Sequence, residues 1–224
     1  MVGLALAGLG RSARRRPRGR GRPAAGFAAD AEILQGAAVA FGHKGYADTS
    51  VEDILAEAHV SRRTFYRLFR NKDDVFERLF EVASELFLES IRAAASSATD
   101  PFEKAERCVE AYLQLPIAAG PIYRVFFVEA MRPGTQLAMR RQRVIDALIG
   151  LLDEEAIRAQ RGRIDPLLVR GLVAAMEHIA LHLIVEGRTS AADQSRAKRS
   201  MLRIFLATLA RDGETPPPIP LLPD

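Results

Sequence analysis

At 224 residues, 48% of them hydrophobic, the chain can bury a sizeable core and has room for one or two domains. Its net charge of +4 is unevenly held: residues 1–29 carry seven arginines and no acid, which leaves −3 on residues 30–224, and positive charge is concentrated at the amino terminus and in one internal stretch. A single cysteine, Cys108, excludes an intrachain disulfide and suits a reducing cytosol, and no apolar run reaches the roughly 18 residues of a spanning helix, so a cytoplasmic chain with no membrane partner is expected.

The opening MVGLALAGLG is apolar, but no charge precedes it and arginines follow, so it makes a poor secretion signal. Residues 11–26, RSARRRPRGRGRPAAG, are low in complexity and too charged to form a core, and residues 1–27 are expected as a disordered arm. Within it PRGRGRP resembles an AT-hook, a segment whose arginines lie in the minor groove of A·T-rich duplex. On that reading Arg18, Arg20 and Arg22 touch DNA; on the other, the arm is a solvated charged tail.

A first helix is predicted over about Asp30 to Phe41, with Ile33, Leu34, Ala37, Ala38 and Phe41 at helical spacing and the glycines at 42 and 45 ending it. Tyr46 reads as a core or turn aromatic. Thr49 with Glu52 has the spacing of a capping box and opens a second helix to Ala58, whose Val51, Ile54, Leu55 and Ala58 form one apolar face. Ser61 restarts the chain as an N-cap for a third helix from Arg62 to Phe69, and Val60 and Phe65 stand where a hydrophobic staple fixes its entry angle. Between His59 and Lys72 lie five cations (Arg62, Arg63, Arg67, Arg70, Lys72) and no acid. A short helix so charged, with Phe65 and Phe69 on a buried side, has the build of a major-groove reader. Arg62 and Arg63 can meet a guanine edge or a phosphate in two-pronged fashion, and Thr64 can bond a base or touch a thymine methyl. The plain alternative for each is an exposed, solvated side chain. Asn71 caps a fourth helix, Lys72 to about Ser96, with Asp73 and Asp74 in its first turn and Val75, Phe76, Leu79, Phe80, Ala83, Leu86 and Phe87 keeping the helical period.

Together ILQGAAVAFGHKGY, TSVEDI, AHVSRRTFYRLF and NKDDVF, spread over residues 33–80, resemble the DNA-binding domain of the TetR family of bacterial regulators. Two positions depart from the family pattern. His59 stands where the family usually has a glycine, at a point that tends to need positive φ, and Leu68 replaces a histidine common just before the Phe. The resemblance implies a helix-turn-helix domain over 28–72, a helical ligand-binding and dimerisation domain over 73–212 and a Pro-rich tail over 213–224. It also implies phosphate contacts from Tyr66, from Lys72 and from Thr49 or Ser50, with Ser61 and Arg67 on the same surface.

Beyond Asp100 every segment reads as helix: Phe102 to Leu115, ended near Pro116; Pro121 to Met131; Thr135 to about Gln160; Pro166, after the cap Asp165, to about Glu186; and Ala191 to Ala210. No segment alternates at strand length, so the fold class is all-α with about nine helices. His178 and His182 stand one turn apart and could share a metal, but Glu177 is in the wrong order for HExxH and no third ligand is evident. No metal, cofactor or catalytic residue is therefore assigned, and the two histidines are expected to face a cavity or a subunit interface. The family resemblance makes Tyr112, Tyr123, Phe127, His178 and His182 the expected lining of a ligand cavity. The last two helices are apolar on more than one side, which calls for a second subunit and a homodimeric four-helix bundle. The resulting expectation is a non-enzymatic homodimeric transcription regulator. It would act as a repressor released from a palindromic operator in double-stranded DNA by an unknown small molecule, through movement of the fourth helix as the only continuous link. The alternative is an architectural, nucleoid-type DNA-binding protein without an effector, which would show almost no sequence preference.

Overall fold

The computed structural model describes residues 24–210 and contains nine helices and no strand among them. These are α1 (Ala24–Asp48), α2 (Val51–Ala58), α3 (Arg62–Leu68), α4 (Lys72–Ser96), α5 (Pro101–Ala119), α6 (Pro121–Ala130), α7 (Gln136–Arg158), α8 (Pro166–Val185) and α9 (Ala191–Leu209). The arginine arm with Arg18, Arg20 and Arg22, and the proline-rich tail, lie outside the described residues. Two compact units divide the rest. The first takes in the described residues up to Ser84 together with Ala118–Ala138, and the second Glu85–Ile117 and Met139 onward.

The core of the first unit gathers Ile33, Leu34, Ala37 and Phe41 of α1, Ile54 of α2, Phe65 and Phe69 around α3, and Val75, Phe76 and Leu79 of α4. Ile122, Phe126 and Ala130 of α6 join it, so a helix distant in sequence completes the small domain. Phe126 meets Phe76 at 5.3 Å and Phe80 at 5.4 Å between ring centroids. Two glycines let α1 approach its neighbours. A Cβ at Gly36 would lie 2.5 Å from the backbone nitrogen of Ala58, and one at Gly42 would lie 3.3 Å from that of Ile122. Gly42 stays helical, and the helix breaks at Gly45 (φ 82°, ψ 171°), the second of the two glycines expected to end it; residues 46–48, counted with α1, follow that break. The chain crosses between units at three places, after Ser84, Ile117 and Ala138, so α4 is not the only covalent link that was expected.

In the second unit, ion pairs tie one helix to the next. Glu177 of α8 takes both Arg141 Nε (3.1 Å) and Nη2 from α7, and Arg170 bonds Asp146 at 2.8 Å, a pairing that sets α7 and α8 antiparallel. Lys104 of α5 reaches Glu155 of α7 at 2.6 Å, and Lys198 of α9 reaches Glu106 and Glu110 of α5 at 3.2 and 2.8 Å. Lys198 holds the Glu110 carboxyl below the usual carboxylate range, and burial raises the Cys108 thiol above its own.

α5 and α8 also depart from expectation. α5 continues through Pro116 to Ala119, because the ring is buried on the helix's packed face and only one backbone donor is lost. α8 is 20 residues long with a mean hydropathy of 1.6 in its most apolar window, long and apolar enough to cross a membrane by length and composition, contrary to the reading of the bare sequence. Its Arg170 and Glu177 are paired with α7, and it packs along α9.

Candidate nucleic-acid interface

The site grows from two short helices and the turn between them. α2 begins at Ser50, whose hydroxyl accepts from Asp53 N (3.2 Å) while the Asp53 carboxylate accepts from Ser50 N (2.9 Å). This Ser50–Asp53 pair, not Thr49 with Glu52, makes the capping box. Lys44 Nζ bonds Asp53 at 2.7 Å and, with the Ser50 donors, holds its carboxyl well below the usual range. Thr49 is 1% exposed, its hydroxyl donating to Gly45 O at 2.6 Å, so it is removed from the side chains able to reach a phosphate; Ser50 remains at the surface. His59 ends α2 in the left-handed region (φ 54°, ψ 34°), which is the conformation its family position called for.

Ser61 caps α3 by accepting from Thr64 N at 3.1 Å, and its Oγ lies 3.0 Å from Thr64 Oγ1. Phe65 is fully buried and Phe69 nearly so, which fixes α3 against the core and turns its other side outward. Tyr66 is half exposed with its ring edge-on to Phe65 at 5.3 Å. Arg63 and Arg67 are exposed and take no partner among the described residues. Arg62 pairs with Glu52 of α2, an exposed contact that a phosphate or base can displace at small cost. Arg70 lies against Asp74, whose carboxyl its backbone N–H and guanidinium hold low. The Arg62 partner Glu52 and the cap Asp53 were not assigned from sequence, although the spacing of Ser50 and Asp53 carried the signal for the second.

Lys72 is differently placed from the phosphate contact expected of it. Its ammonium donates to the carbonyls of Tyr46 (2.9 Å), Ala47 (2.9 Å) and Thr49 (2.8 Å) and lies 5.0 Å from the Tyr46 ring centroid. Beside it the Tyr46 hydroxyl donates to Asp73 at 2.5 Å, and burial together with that carboxylate raises the phenol above its usual range.

What remains outward is a capped, seven-residue helix with Arg62, Arg63, Tyr66 and Arg67 exposed around the buried Phe65. Residues 33–79, which contain this arrangement entire, match the family described as bacterial regulatory proteins, tetR family. Over these residues the chain carries the marks of the TetR-family DNA-binding domain. No curated protein matches the chain. Among solved structures, the chain is similar to the fatty acid degradation regulator FadR of Bacillus halodurans, at 23% identity and a TM-score of 0.68, over 80% of this chain and 98% of that one. It is similar to FadR of Bacillus subtilis, solved in complex with stearoyl-CoA, at 18% identity and 0.67, over 80% and 98%. A TetR-family transcriptional regulator of Streptomyces coelicolor matches at 20% identity and 0.63, over 90% and 93%.

The residues expected to line a ligand cavity do not share one setting. Tyr123 and Phe127 belong to the first unit, and Tyr112, His178 and His182 to the second. Tyr112 is buried with its ring edge-on to Phe87 at 5.1 Å. His178 and His182 are exposed on α8 in the single chain. Among the described residues no group of three or more His, Cys, Asp or Glu is placed to hold a metal.

Proposed function

We propose that this TetR-family regulator is a homodimeric, ligand-responsive repressor in the cytoplasm. In this reading residues 28–72 read DNA and residues 73–212 bind the effector and the second subunit. The observation that carries it is α3 itself, where Arg63, Tyr66 and Arg67 are exposed on a helix anchored by Phe65. Such a helix fits a major groove, with the arginines on guanine edges or phosphates, and Ser50, Ser61, Thr64 and Tyr66 within reach of the backbone. The arm would add minor-groove contacts from Arg18, Arg20 and Arg22.

Support for a dimer comes from α8. Leu167, Gly171, Ala174, His178, His182 and Val185 form one exposed stripe at helical spacing, and Leu167 is 73% exposed. Leu168 flanks it, also exposed. A second copy laid on this face through the last two helices would cover it and would place the two histidines in an interface, where they need hydrogen-bond partners. Two-fold symmetry then calls for a palindromic operator with half-sites about 10 base pairs apart or a little more.

Release by a ligand requires a differential affinity of about 10⁴-fold, near 5.5 kcal/mol, between released and bound forms. A long-chain acyl-CoA is the first compound to try, because one similar structure was solved with stearoyl-CoA. The deciding experiment is selection of bound fragments from random duplexes by the purified chain. A preferred palindrome held about 10³-fold or more tighter than random duplex at physiological salt supports the regulator, and the absence of any preference supports an architectural protein instead.

A further inference from the structure

We propose that Lys72 is a positioning residue of the reading head rather than a phosphate contact: its ammonium fastens the first turn of α4 to the corner from which α2 and the reading helix hang. An ammonium has three donors, and here three carbonyls receive them, at 2.9, 2.9 and 2.8 Å. Tyr46 and Ala47 follow the kink at Gly45, at the end of α1, and both of their carbonyls accept from the ammonium. The third carbonyl belongs to Thr49, the residue before the N-cap of α2. Asp73 grips the same corner through the Tyr46 hydroxyl, and Thr49 seals it from inside by bonding Gly45 O. From there α2 and α3 share one buried core through Ile54 and Phe65, so the placement of α3 is tied step by step to the start of α4. To reach a phosphate Lys72 would have to leave at least one of these carbonyls unpaired.

The inference rests on the DNA-binding reading, and two experiments separate its failure from that of the reading. The chain has four lysines, so amine modification followed by mass spectrometry reads each one in the wild-type protein. Without DNA, Lys72 should react far more slowly than Lys44, whose side chain is 52% exposed, and adding the duplex enriched from a random pool should leave Lys72 unchanged. Rapid reaction that the duplex suppresses overturns the inference.

The second experiment compares Lys72→Arg and Lys72→Met for affinity to that duplex across a salt series, at temperatures where circular dichroism shows both folded. Arginine keeps the charge, and with it any phosphate contact, but its planar fork cannot meet three converging carbonyls. Both variants should therefore lose about tenfold or more in affinity with the slope of log K against log salt unchanged. Wild-type affinity in Lys72→Arg, or a slope reduced by about 0.9 in Lys72→Met, is the signature of a phosphate contact and overturns the inference. If no duplex is enriched, the DNA reading fails, and the reactivity of Lys72 in the free chain still decides whether its donors are engaged.

Discussion

His59 holds φ 54° between α2 and Ser61, a backbone region that an L side chain enters at a cost of about 1–2 kcal/mol. His59→Gly should relieve part of that strain and raise stability by about 0.5–1 kcal/mol in thermal or denaturant melts, with DNA binding retained. A loss of stability would mean that the imidazole makes a contact worth more than the strain. On the reading helix, Arg63 is exposed, and Tyr66→Phe keeps the ring that lies edge-on to Phe65 and removes only the hydroxyl. Arg63→Ala should lower affinity for the selected duplex about tenfold and Tyr66→Phe about threefold, with sedimentation showing the oligomeric state unchanged. Unchanged binding in both would mean that α3 does not read DNA. Residue identity made these positions legible, because Phe65 and Phe69 at helical spacing leave the arginines only one side to occupy. It pointed to Thr49–Glu52 for the capping box, whereas Ser50–Asp53, at the same spacing, forms it. Burial of Thr49 decided it.

Among elements, α1 is the one that close approach constrains most. Gly36 faces the backbone of Ala58 at a distance no Cβ can share, and neither helix can move without opening the core around Ile33 and Ile54. Gly36→Ala should therefore cost about 3 kcal/mol or more in a denaturant melt, where an alanine in an open helical position would stabilise. A neutral or stabilising result would refute the α1–α2 crossing. The bounds of α4 agreed with expectation because Asn71, two aspartates and a sustained apolar period all mark the same helix. Those of α1 and α5 did not agree. Gly42 and Pro116 read locally as breaks, and each is accommodated for a tertiary reason, the approach of α6 in one case and burial of the ring in the other.

On the scale of the whole molecule, the exposed stripe of α8 makes its own prediction. Leu167→Asp with Leu168→Asp should convert the chain to a monomer by analytical ultracentrifugation and cut affinity for a full palindrome while leaving helicity unchanged, because the substitutions put charge on the face that the proposed second copy would cover. A dimer that survives both changes would place the interface elsewhere. The linear pattern of hydrophobic and charged residues determined the all-α class, the helix-turn-helix and the capped, cationic reading helix, since these follow from spacing within about 20 residues and from side-chain chemistry alone. Only the tertiary structure decided that α6 completes the core of the DNA-binding unit, that Lys72 points at carbonyls, and that His178 and His182 lie on the surface. The physical reason is that periodicity states which face of a helix is buried but not what buries it, and a cation in a sequence carries no record of which acceptors folding will bring to it.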